Sequence, residues 1–193
     1  MEFENRGPLL KPLLLIGGAS SRMGTRKELL PFPDGRLSIE HALKTLQSAV
    51  PTASTIYISL HNQSQLSAIQ PALERFEEQQ KIRHSCSHDE EHEHNASTAE
   101  LQPIFDGQDV EIGPAGGLLA AYSADRKTKW LVLGCDYPLL PPSALQQLML
   151  EYEDPATCFE NESGFAEPLI AIVGDDLFPS FAFLLRAISL LLM

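Results

Sequence analysis

Positive charge is scarce in this sequence: 14 Lys and Arg stand against 26 Asp and Glu, giving a formal net charge of -12. Nucleic-acid binders need a basic surface to displace phosphate counterions, so nucleic acid is not an expected partner. Cysteine is scarce as well. Cys86, Cys135 and Cys158 are odd in number and widely spaced, with no CxxC pair. That argues against a disulfide framework and for a reducing compartment. Long apolar runs are missing too. The stretch from Leu9 to Ile16 is interrupted by Lys11 and Pro12 and closed by Gly17 and Gly18, too short for the core of a secretion signal. The run from Phe181 to Met193 is 13 residues long and contains Arg186, short of the roughly 20 residues that a bilayer requires. It reads as a buried final helix. No address and no membrane span are expected, which leaves the cytoplasm as the default location.

What is present indicates one folded domain over residues 1–193. Hydrophobic residues make up 44% of the chain and charged residues 21%, an ordinary globular balance. Apolar, β-rich runs at 12–16, 55–60, 130–134 and 169–173 alternate with helical patterns at 38–50, 64–80, 115–125 and 142–152. Ser38 is a plausible N-cap for the first helix, with Ile39, Ala42, Leu43, Leu46 and Val50 on one face. Alternation of this kind predicts an α/β fold in three layers, a mostly parallel sheet with helices on both faces. Ligands in such folds lie beyond the carboxyl ends of the strands, where strand order reverses. Residues 84–111 break the alternation and are expected to form a long loop, and 177–193 form an atypical apolar C-terminus.

Three stretches carry chemistry. In the first, Leu13-Leu14-Leu15-Ile16 delivers the chain to Gly17-Gly18-Ala19-Ser20-Ser21-Arg22-Met23-Gly24-Thr25-Arg26-Lys27. Glycines let the backbone approach a ligand closely, and the serines add hydroxyl donors. From Asn5 to Lys27 there are five basic residues and no acidic one. That local reversal of sign suits a polyphosphate. A Walker loop would need Gly and Lys adjacent and followed by Ser or Thr, but Gly24 and Lys27 are separated by two residues and Glu28 follows. A G-x-G-x-x-G fingerprint fails too, because the glycines stand at 17, 18 and 24. In the second stretch, Trp130-Leu131-Val132-Leu133-Gly134-Cys135-Asp136-Tyr137-Pro138 places a carboxylate at the end of a strand. Asp136 is therefore a candidate ligand for a hard cation such as Mg²⁺, which takes oxygen donors from one or two carboxylates and from substrate phosphates. The third, Gly113-Pro114-Ala115-Gly116-Gly117-Leu118, opens an apolar helix and could aim free N–H groups at an anion or a base.

Together these stretches resemble the MobA-like nucleotidyltransferases, whose best-known members are molybdenum cofactor guanylyltransferases. The family opens close to L-A-G-G-x-S-x-R-M-G-x-D-K-x-L-L. Leu15, Gly17, Gly18, Ser20, Arg22, Met23, Gly24, Lys27, Leu29 and Leu30 match that pattern, while Ile16 replaces the usual Ala and Arg26 stands where Asp is common. Residues 113–117 are similar to the family's G-P-L-A-G, 135–138 to its C-D-x-P, and Glu167-Pro168-Leu169 to its later Gln/Glu-Pro-Leu. The resemblance implies a Rossmann-like nucleotidyltransferase fold. It also implies a Mg²⁺-dependent transfer of a nucleoside monophosphate, best known as GMP from GTP, to a phosphate-bearing acceptor such as molybdopterin, with release of pyrophosphate. At matched positions it implies nucleotide contacts for Leu15, Gly17, Gly18, Ser20, Lys27, Gly113 and Gly117. Arg22 and Lys27 would neutralise phosphate charge and Asp136 would bind the metal. Asp106, seven residues before Gly113, matches in spacing a family Asp that contacts the base.

Two departures stand out. The family's late Asn-x-[ST]-Pro-x-Asp segment has no counterpart, since no Asn follows Asn161. This leaves open a truncated form, or an impaired nucleotide-binding or regulatory protein of the same fold. The segment His84 to His94 is the other departure. His88 and His92 are four apart, a zinc-compatible spacing on a helix. However, residues 84–125 contain no Lys or Arg, and a solvated acidic insertion is the expected state.

Overall fold

A six-stranded sheet organises the protein because its central strands are apolar on both faces and must be covered on both. In the computed structural model the described residues are 10–16, 26–86, 98–106 and 113–175, without the side chains of 83–86. Strands β1 (Leu10–Leu15), β2 (Thr55–Leu60), β3 (Glu100–Phe105), β4 (Lys129–Gly134), β5 (Ala156–Glu160) and β6 (Ala166–Val173) alternate with four helices. These are α1 (Ser38–Ala49), α2 (Gln63–Cys86), α3 (Pro114–Ala124) and α4 (Pro142–Leu150). The strand order is β3-β2-β1-β4-β6-β5. The first four in that order run parallel, and β6 pairs antiparallel with both β4 and β5. The mostly parallel α/β sheet expected from the sequence is thus present.

Successive residues along a strand point to opposite faces, and two cores follow from that period. Leu14, Ile16, Leu131, Leu133, Ile170 and Ile172 pack under α1, α2 and α4 through Leu43, Leu46, Ile69, Leu73, Leu145 and Leu148. Leu13, Leu15, Trp130, Val132, Ala171 and Val173 pack under α3 through Leu118 and Ala121. Helices therefore cover both faces. Among the described residues no helix is long and apolar enough to cross a membrane.

Two expectations need correction, and one strand is added. Residues 84–111 are not one loop: α2 continues to Cys86, and β3 occupies Glu100–Phe105. β3 is an edge strand carrying Pro103 opposite Ile58. Proline is tolerated at a sheet edge, and a strand covered by few neighbours shows no strong apolar alternation. β5, at the other edge, likewise carries a weak signal. Second, Ser38 does not cap α1. Leu37 holds the N-cap position, and its N–H donates to Glu40 Oε2 at 2.6 Å, as in the returning half of a capping box. The Ser38 hydroxyl instead donates to Cys135 O at 3.0 Å, a long-range partner that local pattern cannot reveal.

The start of β1 is pinned to the end of α3. Lys11 Nζ lies 2.6 Å from Asp125 Oδ2, and Lys11 also sits over the Tyr57 and Trp130 rings. The Lys11 hydrogen bond, followed by the Lys127 N–H, holds the Asp125 carboxyl below its ordinary 3.8. The same bond raises Lys11 above 10.5. A depressed carboxyl adds stability above its unfolded value and loses it as pH falls through the folded one. A raised amine adds stability below its unfolded value and loses it as pH rises through the folded one. The pair therefore stabilises between these limits. Both side chains are about one-third exposed, so ~0.2–1 kcal/mol is expected. Asp125→Asn should lower the melting temperature by about 1–4 °C at neutral pH. The gap should close as pH falls past the ordinary carboxyl value and through the lower folded one, as thermal melts across a pH series would show; an unchanged gap in acid would contradict the assignment.

Candidate active site

Strand order reverses beside β1: the chain winds from β1 out to β2 and β3, then returns to place β4 on the other side. This is the crevice where parallel sheets bind ligands. Its floor is the carboxyl edge of four parallel strands. Backbone bonds extend that edge past each strand end. Ile16 N–H donates to Ser59 O at 3.2 Å, Asp106 N–H to Leu60 O at 2.9 Å, and Cys135 N–H to Leu15 O at 3.0 Å. Asp106 and Asp136 therefore sit on the same edge, at the ends of β3 and β4. Three strand spacings separate them, about 14 Å at 4.8 Å per step.

Lys27 and Asp136, 109 residues apart in sequence, meet here. Lys27 Nζ stands 3.2 Å from Asp136 Oδ2 with both side chains nearly half exposed. Lys27 opens a 3-10 turn, Lys27–Leu29, that packs against α1. An exposed ion pair of this kind is worth only ~0–1 kcal/mol, so either group can turn to a phosphate or a cation at little cost. Behind them Cys135 is buried, its thiol pushed up to about 12 by burial first, then by the charges of Asp136 and Glu28. It is a packing residue and no nucleophile at neutral pH. Tyr137 donates from its hydroxyl to Glu167 Oε2 at 2.7 Å and is pushed up to about 12 by burial and that bond. Glu167-Pro168-Leu169 is thereby tied to the turn carrying Asp136, and Leu169 also packs at Gly134.

At the other end, Asp106 is mostly buried with His61 Nδ1 at 3.3 Å from its Oδ1. That oxygen nevertheless has no aligned hydrogen-bond donor among the described residues: the ring nitrogen is close, but its geometry is not that of a hydrogen bond. Gly113 adopts φ +60° as the cap of α3, a backbone that favours glycine. Pro114 follows at the first helical position. A Cβ on Gly116 would lie 3.1 Å from Asp106 Oδ2, so the helix start is pressed against that carboxylate.

Gly117 has a steric reason to be glycine. A Cβ there would overlap Ser59 Oγ and stand 2.7 Å from Leu15 Cδ2 and 3.0 Å from Ser59 Cβ. Alanine in a helix normally gains about 1 kcal/mol over glycine. Here Leu15 and Ser59 are buried and cannot withdraw, and overpacking costs ~1–3 kcal/mol. Gly117→Ala is expected to destabilise by about 1 kcal/mol net. Adding Ser59→Ala, which deletes the closest atom, should recover part of it; a single variant more stable than the parent in chemical denaturation would refute this packing.

Of the residues expected from sequence, Leu15, Lys27, Asp106, Gly113, Gly117 and Asp136 all border this edge. Gly17, Gly18, Ser20 and Arg22 lie outside the described residues, as do His88, His92 and 177–193. The structure adds Glu28, Ser59, His61 and Gln65, which sequence reasoning missed. Glu28 had one signal, an acid directly after a basic stretch.

A basic turn facing a strand-end carboxylate beside a topological switch point lies where open parallel sheets take their ligands. The chain belongs to the MobA-like NTP transferase domain family, whose model matches residues 12–189. Among solved structures it is similar to Rv0371c from Mycobacterium tuberculosis H37Rv, with 18% identity, coverage of 91% of this chain and 76% of that one, and a TM-score of 0.60. A manganese complex of the mycobacterial protein aligns at 14% identity, 90% and 75% coverage, and a TM-score of 0.52. The molybdopterin-guanine dinucleotide biosynthesis protein A from Archaeoglobus fulgidus aligns at 18% identity, 92% and 74% coverage, and a TM-score of 0.55. A nucleotidyl transferase from Methanothermobacter thermautotroptrophicus aligns at 16% identity, 89% and 74% coverage, and a TM-score of 0.59. No curated protein sequence matches the chain.

Proposed function

We propose that this protein transfers a nucleoside monophosphate, GMP in preference, from the triphosphate to a phosphate-bearing acceptor. The observation that carries it is the shared strand edge: Asp106 at one end, and Lys27 with Asp136 at the other. The roughly 14 Å between the two ends is a span that an extended nucleoside triphosphate bridges. Asp106 would take the base. A carboxylate only accepts hydrogen bonds, and the adjacent ring N–H and amino group of guanine offer two donors where adenine offers one. Leu15, Gly113 and Gly117 would border the nucleotide, with Gly17, Gly18, Ser20 and Arg22 supplying donors and charge to its phosphates.

Asp136 suits a hard divalent cation, Mg²⁺ in this proposal, by its oxygen chemistry and exposure. No cluster of three His, Cys, Asp or Glu exists among the described residues. The remaining ligands would be phosphate oxygens and water, the mode that Mg²⁺ favours; the manganese complex of the mycobacterial protein is compatible with that choice. The ion would draw electron density from the α-phosphate and the departing pyrophosphate. Lys27 adds a fixed positive charge beside the same oxygens. An acceptor phosphate oxygen attacks the α-phosphorus, the new P–O bond forms, and the bond to the bridging oxygen breaks. Pyrophosphate leaves with that electron pair. A phosphate nucleophile is already ionised near neutral pH, so the protein's task is alignment and charge stabilisation.

The experiment incubates the purified chain with each NTP, Mg²⁺ and either molybdopterin or a sugar phosphate, and measures pyrophosphate. GTP- and acceptor-dependent release is expected. Binding of GTP with no release from any acceptor would favour the second reading, a nucleotide-binding or regulatory protein.

A further inference from the structure

One buried carboxamide joins three segments at the active-site edge. Gln65, in the first turn of α2, accepts the His61 main-chain N–H on Oε1 at 2.8 Å. From Nε2 it donates to Ile16 O at 2.8 Å, where β1 ends, and to Glu28 Oε1 at 3.5 Å. Glu28 is 4% exposed, and among the described residues its nearest cation, Arg26, stands 3.9 Å away. Burying a carboxylate without a close cationic partner is costly, and an apolar residue of similar size would stabilise the fold as well or better. A packing role alone therefore does not account for Glu28.

Its position does. Glu28 is the middle residue of the Lys27–Leu29 turn. With its side chain drawn inward to Gln65, the adjacent Lys27 side chain is left on the solvent side, where it meets Asp136 at 3.2 Å. The far end of the turn is fixed separately, by the Ser38 N–H donating to Leu30 O at 2.9 Å. The Ser38 hydroxyl in turn holds Cys135 O, next to Asp136. The two faces of the Lys27–Asp136 gap are thus each tied to the scaffold.

We infer that Gln65 and Glu28 are positioning residues that set Lys27 against Asp136 before a triphosphate arrives. The inference rests on the phosphate-binding role proposed above for Lys27. Its signature is dependence on Lys27: contacts that act through one residue lose their effect when that residue is removed.

The test titrates GTP with Mg²⁺ into the full chain by calorimetry. Gln65→Leu and Glu28→Met are each expected to weaken affinity by about 10-fold or more, the scale on which misplaced groups act. On a Lys27→Ala background the same substitutions should change it by less than about 2-fold. Glu28→Gln keeps a hydrogen-bonding partner for Gln65 and should stay within about 3-fold of the parent. If Gln65→Leu does not fold, Glu28→Met carries the same comparison. Variants that melt earlier yet bind as the parent does, or that weaken binding equally without Lys27, overturn the inference while the parent reading stands. An unchanged affinity in Lys27→Ala alone overturns both.

Discussion

Asp136→Ala is expected to reduce metal-dependent pyrophosphate release by roughly 10²–10³-fold or more, the scale of losing one transition-state charge partner. The same substitution should barely move the melting temperature. Asp136 is exposed, and its ion pair with Lys27 is itself nearly half exposed, so losing that pair costs at most ~1 kcal/mol. Nothing buried is opened, because the strand behind it ends at Gly134 and Cys135 seals the core. Asp136→Asn should be almost as inactive, since an amide keeps the shape but not the charge a cation requires. Thermal melts and pyrophosphate assays on the same preparations separate the two effects. Full activity in Asp136→Ala would remove the metal assignment altogether, while lost activity with a collapsed melt would make Asp136 a structural residue.

The legible parts of this molecule are those fixed by local order. Leu13 to Ile16 and Trp130 to Gly134 are continuous apolar runs because both faces of a central parallel strand are buried. The residue that ends such a strand must lie at the ligand edge, which is why Asp136 could be singled out. β3 and β5 were not legible for the converse reason: edge strands have little to bury, and Pro103 disguises one of them. Side chains whose partners are remote in sequence were equally hidden. Ser38 has the chemistry of a cap but bonds to Cys135, 97 residues away. Gln65 sits in an ordinary polar stretch of helix, yet reaches back 49 residues to Ile16. Gly117 shows the two kinds of information meeting. The sequence marks it as a turn glycine near an anion, and the structure adds that Ser59 and Leu15 leave no room for a Cβ.

The largest loss of stability is expected at Trp130, at the opposite end of β4. It is fully buried among Leu13, Leu15, Leu118, Val132 and Val173. Its ring meets Tyr57 edge-on at 5.0 Å. Trp130→Ala should cost ~3–5 kcal/mol in transfer energy and cavity formation. For a chain of this length that lowers the melting temperature by on the order of 10 °C. Trp130→Phe should cost far less than the difference in ring area suggests. The indole Nε1 is buried with no acceptor among the described residues, and an unpaired buried donor already carries a penalty of ~1–3 kcal/mol that phenylalanine removes. Neither variant should alter GTP affinity in the fraction that remains folded. Trp130 lies at the amino end of its strand and Asp136 beyond the carboxyl end, six residues on, roughly 20 Å at the rise of an extended chain. Calorimetry well below the melting transition, with denaturant titration for stability, distinguishes a loss of folded protein from a damaged site. A folded Trp130→Ala that binds GTP poorly would mean that the sheet carries strain from the α3-side core to its ligand edge, and the catalytic edge would then depend on core packing as well as on Lys27 and Asp136.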